Sequence, residues 1–211
     1  MVVIIEYKAG NLKSVERALS HIGVPCTVTR NPDKILSADR IIFPGVGAAG
    51  SAIEDLKRDG TSEIITEAFN KKIPILGICL GAQIILSHSE EGNTGCLDLI
   101  KGTARKFPNK ISSHNGMNLK IPHMGWNEIT LIQSHPVLDW IRPKEAFYFV
   151  HTYYPEPVDK KYIFCTSEYG VTFPCVVGKK NLLATQFHPE KSGIPGLKLL
   201  KNFMEWSGNV E

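Results

Sequence analysis

"IPILGICLGAQIIL", residues 73–86, sets a cysteine midway between two glycines inside an otherwise apolar run. "IPILGI" reads as a buried strand, and "LGAQIILSHS" beyond the turn reads as a helix. Free cysteine is among the most buried residue types, so core packing is the plain reading of Cys79. The order Gly77-Ile78-Cys79-Leu80-Gly81 offers another. It has the form Gly-x-nucleophile-x-Gly between a strand and a helix, where small flanking residues let a crowded turn hold a nucleophile above the end of a sheet. A thiol at a helix N-terminus is favoured as thiolate, and the Leu80 N–H would point to where an oxyanion forms.

On the N-terminal side, "VVIIE" (2–6), "PCTVT" (25–29) and "RIIFP" (40–44) read as strands. Leu12, Val15, Leu19 and Ile22 fall at helical spacing, with Asn11 as N-cap and Gly23 as the stop. "SAIEDLKRDG" and "TSEIITEAFNKK" read as one or two further helices. Such alternation implies an α/β fold, three layers deep, with a central and mainly parallel sheet. From about residue 95 the texture changes to short strand-like pieces, "HMGWNEITLI", "AFYFVHTYYPE", "YIFCTSEY", "TFPCVVGKK" and "LLATQFHPE". They form a C-terminal β-rich segment closed by the helix "GLKLLKNFMEWS".

The chain has 211 residues, enough for one sizeable core, and a single domain over 1–211 is expected. A net charge of +3 without a dense Lys/Arg block gives no reason to expect a nucleic-acid partner. Five cysteines, with no C-x-x-C pair, fit unpaired thiols in a reducing compartment. "MVVIIEYKAG" is not a signal peptide, and the run at 73–86 is too short to span a bilayer. A cytoplasmic protein is expected, with no membrane partner.

A nucleophilic thiol needs a base, and seven histidines are available. His21 and His88 fall late in expected helices, and His114 and His135 lie in polar or turn-like stretches where exposure is expected. His123 and His151 are open to a hydrogen-bonded structural role. His188 stands apart in "QFHPE". Pro189 pushes it to extended geometry, where residues two apart face the same way, so Glu190 can accept from one ring nitrogen while the other faces the thiol. Metal binding is the competing idea for His-x-Glu, but no third ligand stands at sensible spacing.

Gly45-Val46-Gly47-Ala48-Ala49-Gly50 matches G-x-G-x-x-G. A dinucleotide fingerprint would occupy the first strand–helix turn, which here is "YKAGN". The glycine-rich strand end is better read as a second source of oxyanion donors.

With "GNLKSVERAL", "PGVG", "GICLGAQ", "SEEG", "PHMGWN", "FVHTYY" and "QFHPEKSG" on the page, the chain resembles the class I (triad) glutamine amidotransferases. Within them it is similar to the glutaminase subunits of imidazole glycerol phosphate synthases. The resemblance implies Cys79 as nucleophile, His188 as base and acid, and Glu190 as its orienting carboxylate. It implies Gly45, Val46 and Gly47 as an adjustable oxyanion strand with Leu80 N–H as the other donor. Gln83, Thr152 and Tyr153, together with Gly45, would hold L-glutamine, and no cofactor or metal is implied. Trp126, Tyr148 and Lys191 would lie at the face of a barrel-shaped cyclase/synthase subunit that receives ammonia, forming a heterodimer. Two departures stand out: "EYKAGN" carries Glu6 and Lys8 where such proteins usually have Asp and Gly, and 101–118 reads as a long polar insert. Paralogues feeding ammonia to bacterial surface-sugar amidation remain an alternative, as do cysteine-elbow peptidase or stress-protein relatives and a non-catalytic regulatory module.

Overall fold

The computed structural model describes residues 1–7, 12–113, 116–142 and 144–209. The calls on Lys8, Asn11 and His114 lie outside the described residues. The chain begins with β1 (Val2–Ile5), α1 (Leu12–His21), β2 (Cys26–Thr29), α2 (Pro32–Leu36), β3 (Arg40–Gly45), α3 (Ala49–Arg58), α4 (Thr61–Asn70), β4 (Ile75–Cys79) and α5 (Leu80–Ile84). It continues with β5 (Leu86–Ser89), β6 (Thr94–Gly95), β7 (Ile100–Lys106), β8 (His123–Leu131), β9 (Ala146–His151), β10 (Tyr153–Pro157), β11 (Ile163–Glu168), β12 (Thr172–Lys179), β13 (Leu182–Thr185) and α6 (Gly193–Glu205).

Among the described residues, nine strands form one sheet in the order β2-β1-β3-β4-β13-β12-β11-β8-β9. From β2 to β13 neighbouring strands run parallel, and from β13 to β9 they run antiparallel. The sheet is therefore mixed rather than mainly parallel. The C-terminal strands extend the central sheet as antiparallel neighbours: short connections return β12 beside β11 and β13 beside β12, while β11 pairs with β8 across a longer separation. A smaller sheet, β10-β7-β5-β6, packs beside it.

Period-2 alternation explains the layers. Ile4, Ile42, Leu76 and Ile78 face a core shared with Val15 and Leu19 of α1 and Leu199, Leu200 and Phe203 of α6. Their neighbours Val3, Ile5, Ile41, Phe43 and Ile75 face a second core with α2, α3 and α4, through Ile35, Ile53, Leu56, Ile65 and Phe69. Helices thus cover both faces. Gly23, the expected stop after α1, has φ +74°, a left-handed conformation that glycine adopts without steric penalty.

The expected helix at 80–89 ends at Ile84, and His88 lies in β5. Ile84, Ile85 and Leu86 are all fully buried, so the stretch has no polar face to present to water. Backbone N–H groups of Leu97, Leu99, Asp98 and Cys96 take the carbonyls of Ile84, Ile85, Leu86 and Ser87, which draws the segment into the smaller sheet. The first half of the supposed insert at 101–118 is likewise strand, with β7 paired between β5 and β10. Glu6 is exposed, and its N–H donates to the Thr29 carbonyl at 3.0 Å, continuing the β1–β2 ladder.

Candidate active site

Strand register brings the site together at the carboxyl ends of the parallel strands, the usual ligand position in open α/β sheets. Gly45 at the end of β3 pairs with Cys79 at the end of β4, and Thr185 at the end of β13 pairs with Ile78. Cys79 has φ 55° and ψ −105°, a conformation rarely adopted by a side-chain-bearing residue. The two glycines flanking it serve close approach. A Cβ on Gly81 would stand 2.1 Å from the Phe43 carbonyl oxygen, and one on Gly77 would stand 2.9 Å from Ala184 Cβ. Packing against β3 and β13 thus pins the turn on both sides and leaves the backbone strain on Cys79.

His188 continues the chain three residues past β13 and is buried. Its N–H donates to the Tyr148 carbonyl at 2.9 Å, and its own carbonyl accepts from Ser192 Oγ at 2.6 Å. The residue itself is extended, as Pro189 dictates, whereas Glu190 lies in a short 3-10 turn, Pro189–Lys191. The two still meet, with His188 Nδ1 donating to Glu190 Oε1 at 2.7 Å. His188 Nε2 is buried and has no conventional hydrogen-bond partner among the described residues, the Cys79 sulfur being its ionic neighbour. Burial opposes a charge on this ring, but the adjoining Cys79 sulfur and the Glu190 carboxylate outweigh it and lift the imidazole to about 10.

A cavity of about 400 Å³ opens over this pair. Val46, Gly47, Cys79, Leu80, Gln83, Thr152, Tyr153 and His188 line it, so most residues singled out in the sequence converge there. Gly45 lies just beneath: a Cβ there would stand 2.2 Å from Tyr7 Oη and 2.8 Å from Leu80 Cβ. Gly47 has φ +96° and open space around its Cα.

Two polar residues of the site, Glu91 and Gln186, escape sequence reasoning. Glu91 lines the cavity, and its Oε2 accepts from the Ala49 N–H at 2.7 Å. It sits within "SEEG", whose paired acids gave the only signal. Gln186, fully buried, places Nε2 3.7 Å from Cys79 Sγ. Its signal was a position two before His188 in "QFHPE". His151 forms part of the wall.

His123 and His151 make the buried hydrogen-bonded pair that their sequence context allows. His151 Nδ1 donates to the Tyr153 carbonyl at 2.9 Å, so its Nε2 accepts, at 2.9 Å, from His123 Nδ1. Burial pushes His123 down to about 4, and burial together with His123 pushes His151 down to about 3. His135 was expected to be exposed but is buried, its ring packed edge-on against Phe164 and Trp206. Its Nδ1 accepts from the Val137 N–H at 3.1 Å, and burial pushes it down to about 4.

The three residues expected at a partner face are neighbours. Trp126 and Tyr148 are directly opposed on β8 and β9, with rings edge-on at 6.2 Å, and the Tyr148 N–H donates to Ser192 Oγ, next to Lys191. Met124 and Trp126 expose 62% and 59% of their surface, which makes this face apolar.

No helix among the described residues is long and apolar enough to cross a membrane. The family model for glutamine amidotransferase class-I matches residues 3–206. The chain is 46% identical over 210 residues to the imidazole glycerol phosphate synthase subunit HisH of Maridesulfovibrio salexigens, covering 100% of this chain and 99% of that one. It is 46% identical to the subunit of the same name from Nitratidesulfovibrio vulgaris strain DP4, covering 96% and 95% of the two chains. A solved glutamine amidotransferase superposes with a TM-score of 0.74 over 98% of both chains at 14% identity, a likeness of fold alone. With a thiol, a carboxylate-bound imidazole and a glycine-rich strand end around one cavity, the chain belongs to the class-I glutamine amidotransferases.

Proposed function

We propose that this chain is the glutaminase subunit of an imidazole glycerol phosphate synthase, hydrolysing L-glutamine and passing ammonia to a cyclase subunit in histidine biosynthesis. Both relatives above bear the synthase name, which favours this pathway over surface-sugar amidation. A family match across nearly the whole chain likewise disfavours an elbow peptidase. The observation that carries the chemistry is the convergence of Cys79 and the His188–Glu190 pair on one cavity.

In this reading Cys79 Sγ adds to the carboxamide carbon of glutamine. The N–H groups of Leu80 and of the Val46–Gly47 segment meet the oxygen as it gains charge, and His188, held protonated, delivers a proton to the departing ammonia. Water then adds to the thioester carbon, His188 takes its proton, and the C–S bond breaks to release glutamate. Glu190 keeps Nδ1–H fixed, so that Nε2 handles the proton at both stages. The Glu91 carboxylate suits the substrate's α-ammonium, and Gln83, Thr152 and Tyr153 hold the rest of the amino acid. Trp126, Tyr148 and Lys191 form the cyclase face, where ammonia leaves. We assign the activity to the cytoplasm and to a heterodimer acting as one unit.

The Val46 peptide supplies a means of coupling. The open surroundings of Gly47 let it reorient, turning either a carbonyl or an N–H toward the oxyanion, and partner binding selects the N–H. One such donor is worth about 2.7–4 kcal/mol, roughly a hundred- to a thousandfold in rate. The test is glutamine turnover by the chain alone and with its cyclase subunit, for the wild type and for Cys79→Ala. Cys79→Ala is expected to lose glutamine-dependent synthesis and to keep synthesis from added ammonium. Loss of both reactions refutes the assignment.

A further inference from the structure

Gln186 is fully buried and bridges two residues of the site. Its Nε2 lies 3.7 Å from Cys79 Sγ, and its Oε1 accepts from Gln83 Nε2 at 3.1 Å. The network itself fixes which end is which. The Tyr153 carbonyl only accepts, so the Gln83 atom 2.9 Å from it is the NH2 group. The other hydrogen of that group reaches Gln186, whose facing atom is therefore oxygen, and this leaves the Gln186 NH2 toward the sulfur.

We propose that Gln186 is a further catalytic residue: its amide N–H donates to the Cys79 sulfur and favours the thiolate, both before attack and as thioester hydrolysis returns the charge. This rests on Cys79 being the nucleophile. A charged sulfur accepts such a bond more strongly than a neutral thiol or a thioester does. The donor therefore acts twice. It raises the reactive fraction of the free enzyme. It also stabilises the leaving group of the second step, when the new C–O bond forms, the C–S bond breaks and the electron pair stays on sulfur while the water proton goes to His188. Removing such a donor differs from loosening the packing, because its effect depends on the sulfur's charge.

Alkylation of the full chain by iodoacetamide, followed at the Cys79 peptide by mass spectrometry from neutral to alkaline pH, separates the two. Gln186→Met, equal in length but without the donor, is expected to slow labelling at neutral pH by about tenfold. The gap is expected to narrow as pH rises, because alkali ionises the thiol without the donor's help. Gln186→Glu, equal in shape but presenting a negative acceptor, is expected to be slower still at neutral pH. In turnover both variants lower kcat. Unchanged labelling in both variants, or the same deficit at every pH, overturns the proposal, the latter marking altered access. Alkylation requires no glutamine, so its outcome stands apart from the glutaminase assignment, which the turnover of the wild type tests.

Discussion

His188 and the His123–His151 pair are buried in the same part of the molecule, and His188 and His151 line the same cavity. His188 is lifted to about 10, while His123 and His151 are pushed down to about 4 and 3. Burial acts against charge in all three, so depth does not distinguish them. The neighbours do: His188 has the Cys79 sulfur beside it and a carboxylate at 2.7 Å, whereas the pair meets a carbonyl, an amide and aromatic rings among the described residues. A sulfur and a carboxylate together separate an imidazole that is charged at neutral pH from two that stay neutral and serve as wall. Histidine burial by itself therefore says little about catalysis; the ionic partner decides.

The largest effect expected on that contrast is from His188→Ala, which removes the charged member. Glutamine hydrolysis should fall by roughly 10²–10⁴ in kcat, the usual span for a lost general acid–base. A kcat within a few-fold of wild type would end the distinction drawn here. Glu190→Gln sharpens it by removing only the ionic partner. Its kcat loss should be about one to two orders of magnitude milder than that of His188→Ala. Its ring should titrate nearer the ordinary value of about 6.5, observable by NMR of the imidazole protons. If His188 stays charged to alkaline pH in Glu190→Gln, the carboxylate is not what holds it.

The two environments also bend stability with pH in opposite senses. His188 has its pKa raised in the fold, so its contribution is fully present below about 6.5 and is lost as pH rises through about 10. His123 and His151 are depressed, so their contribution is full above about 6.5 and is lost as pH falls toward about 4 and 3. Urea titrations at pH 5, 7 and 9.5 should show Glu190→Gln losing least at the alkaline end. His123→Phe should lessen the acid-side loss, because one neutral ring no longer takes up a proton on unfolding. The smallest effect expected is that of His123→Phe on turnover at pH 7.5, which stays near wild type. A collapse in its kcat would make the pair part of the chemistry and erase the contrast.

Much of this arrangement is legible in the sequence because it is local. Cys79 between two glycines and His188 two before Glu190 state their chemistry within five residues each. The central parallel strand β1 is an uninterrupted apolar run, "VVII". What could not be read depends on pairing across long separations. The helix beyond Cys79 stops at Ile84 because backbone groups at 96–99 capture its carbonyls. His135 is buried because Trp206, from the far end of the chain, closes over it. Gln186 touches Cys79 only because β13 lies beside β4, a neighbourhood that no spacing in the sequence reveals.

The backbone at Cys79 has an evolutionary corollary. A residue held at φ 55° and ψ −105° carries conformational strain of about 1–3 kcal/mol, which glycine would not. Cys79→Gly should therefore melt at a higher temperature than Cys79→Ala, although both lack the thiol. In a lineage released from the need for the reaction, drift toward glycine at this position would be rewarded by sturdier folding. Retention of cysteine there is thus a mark of continuing selection for chemistry, and a descendant with glycine at 79 would be recognisable as a retired enzyme.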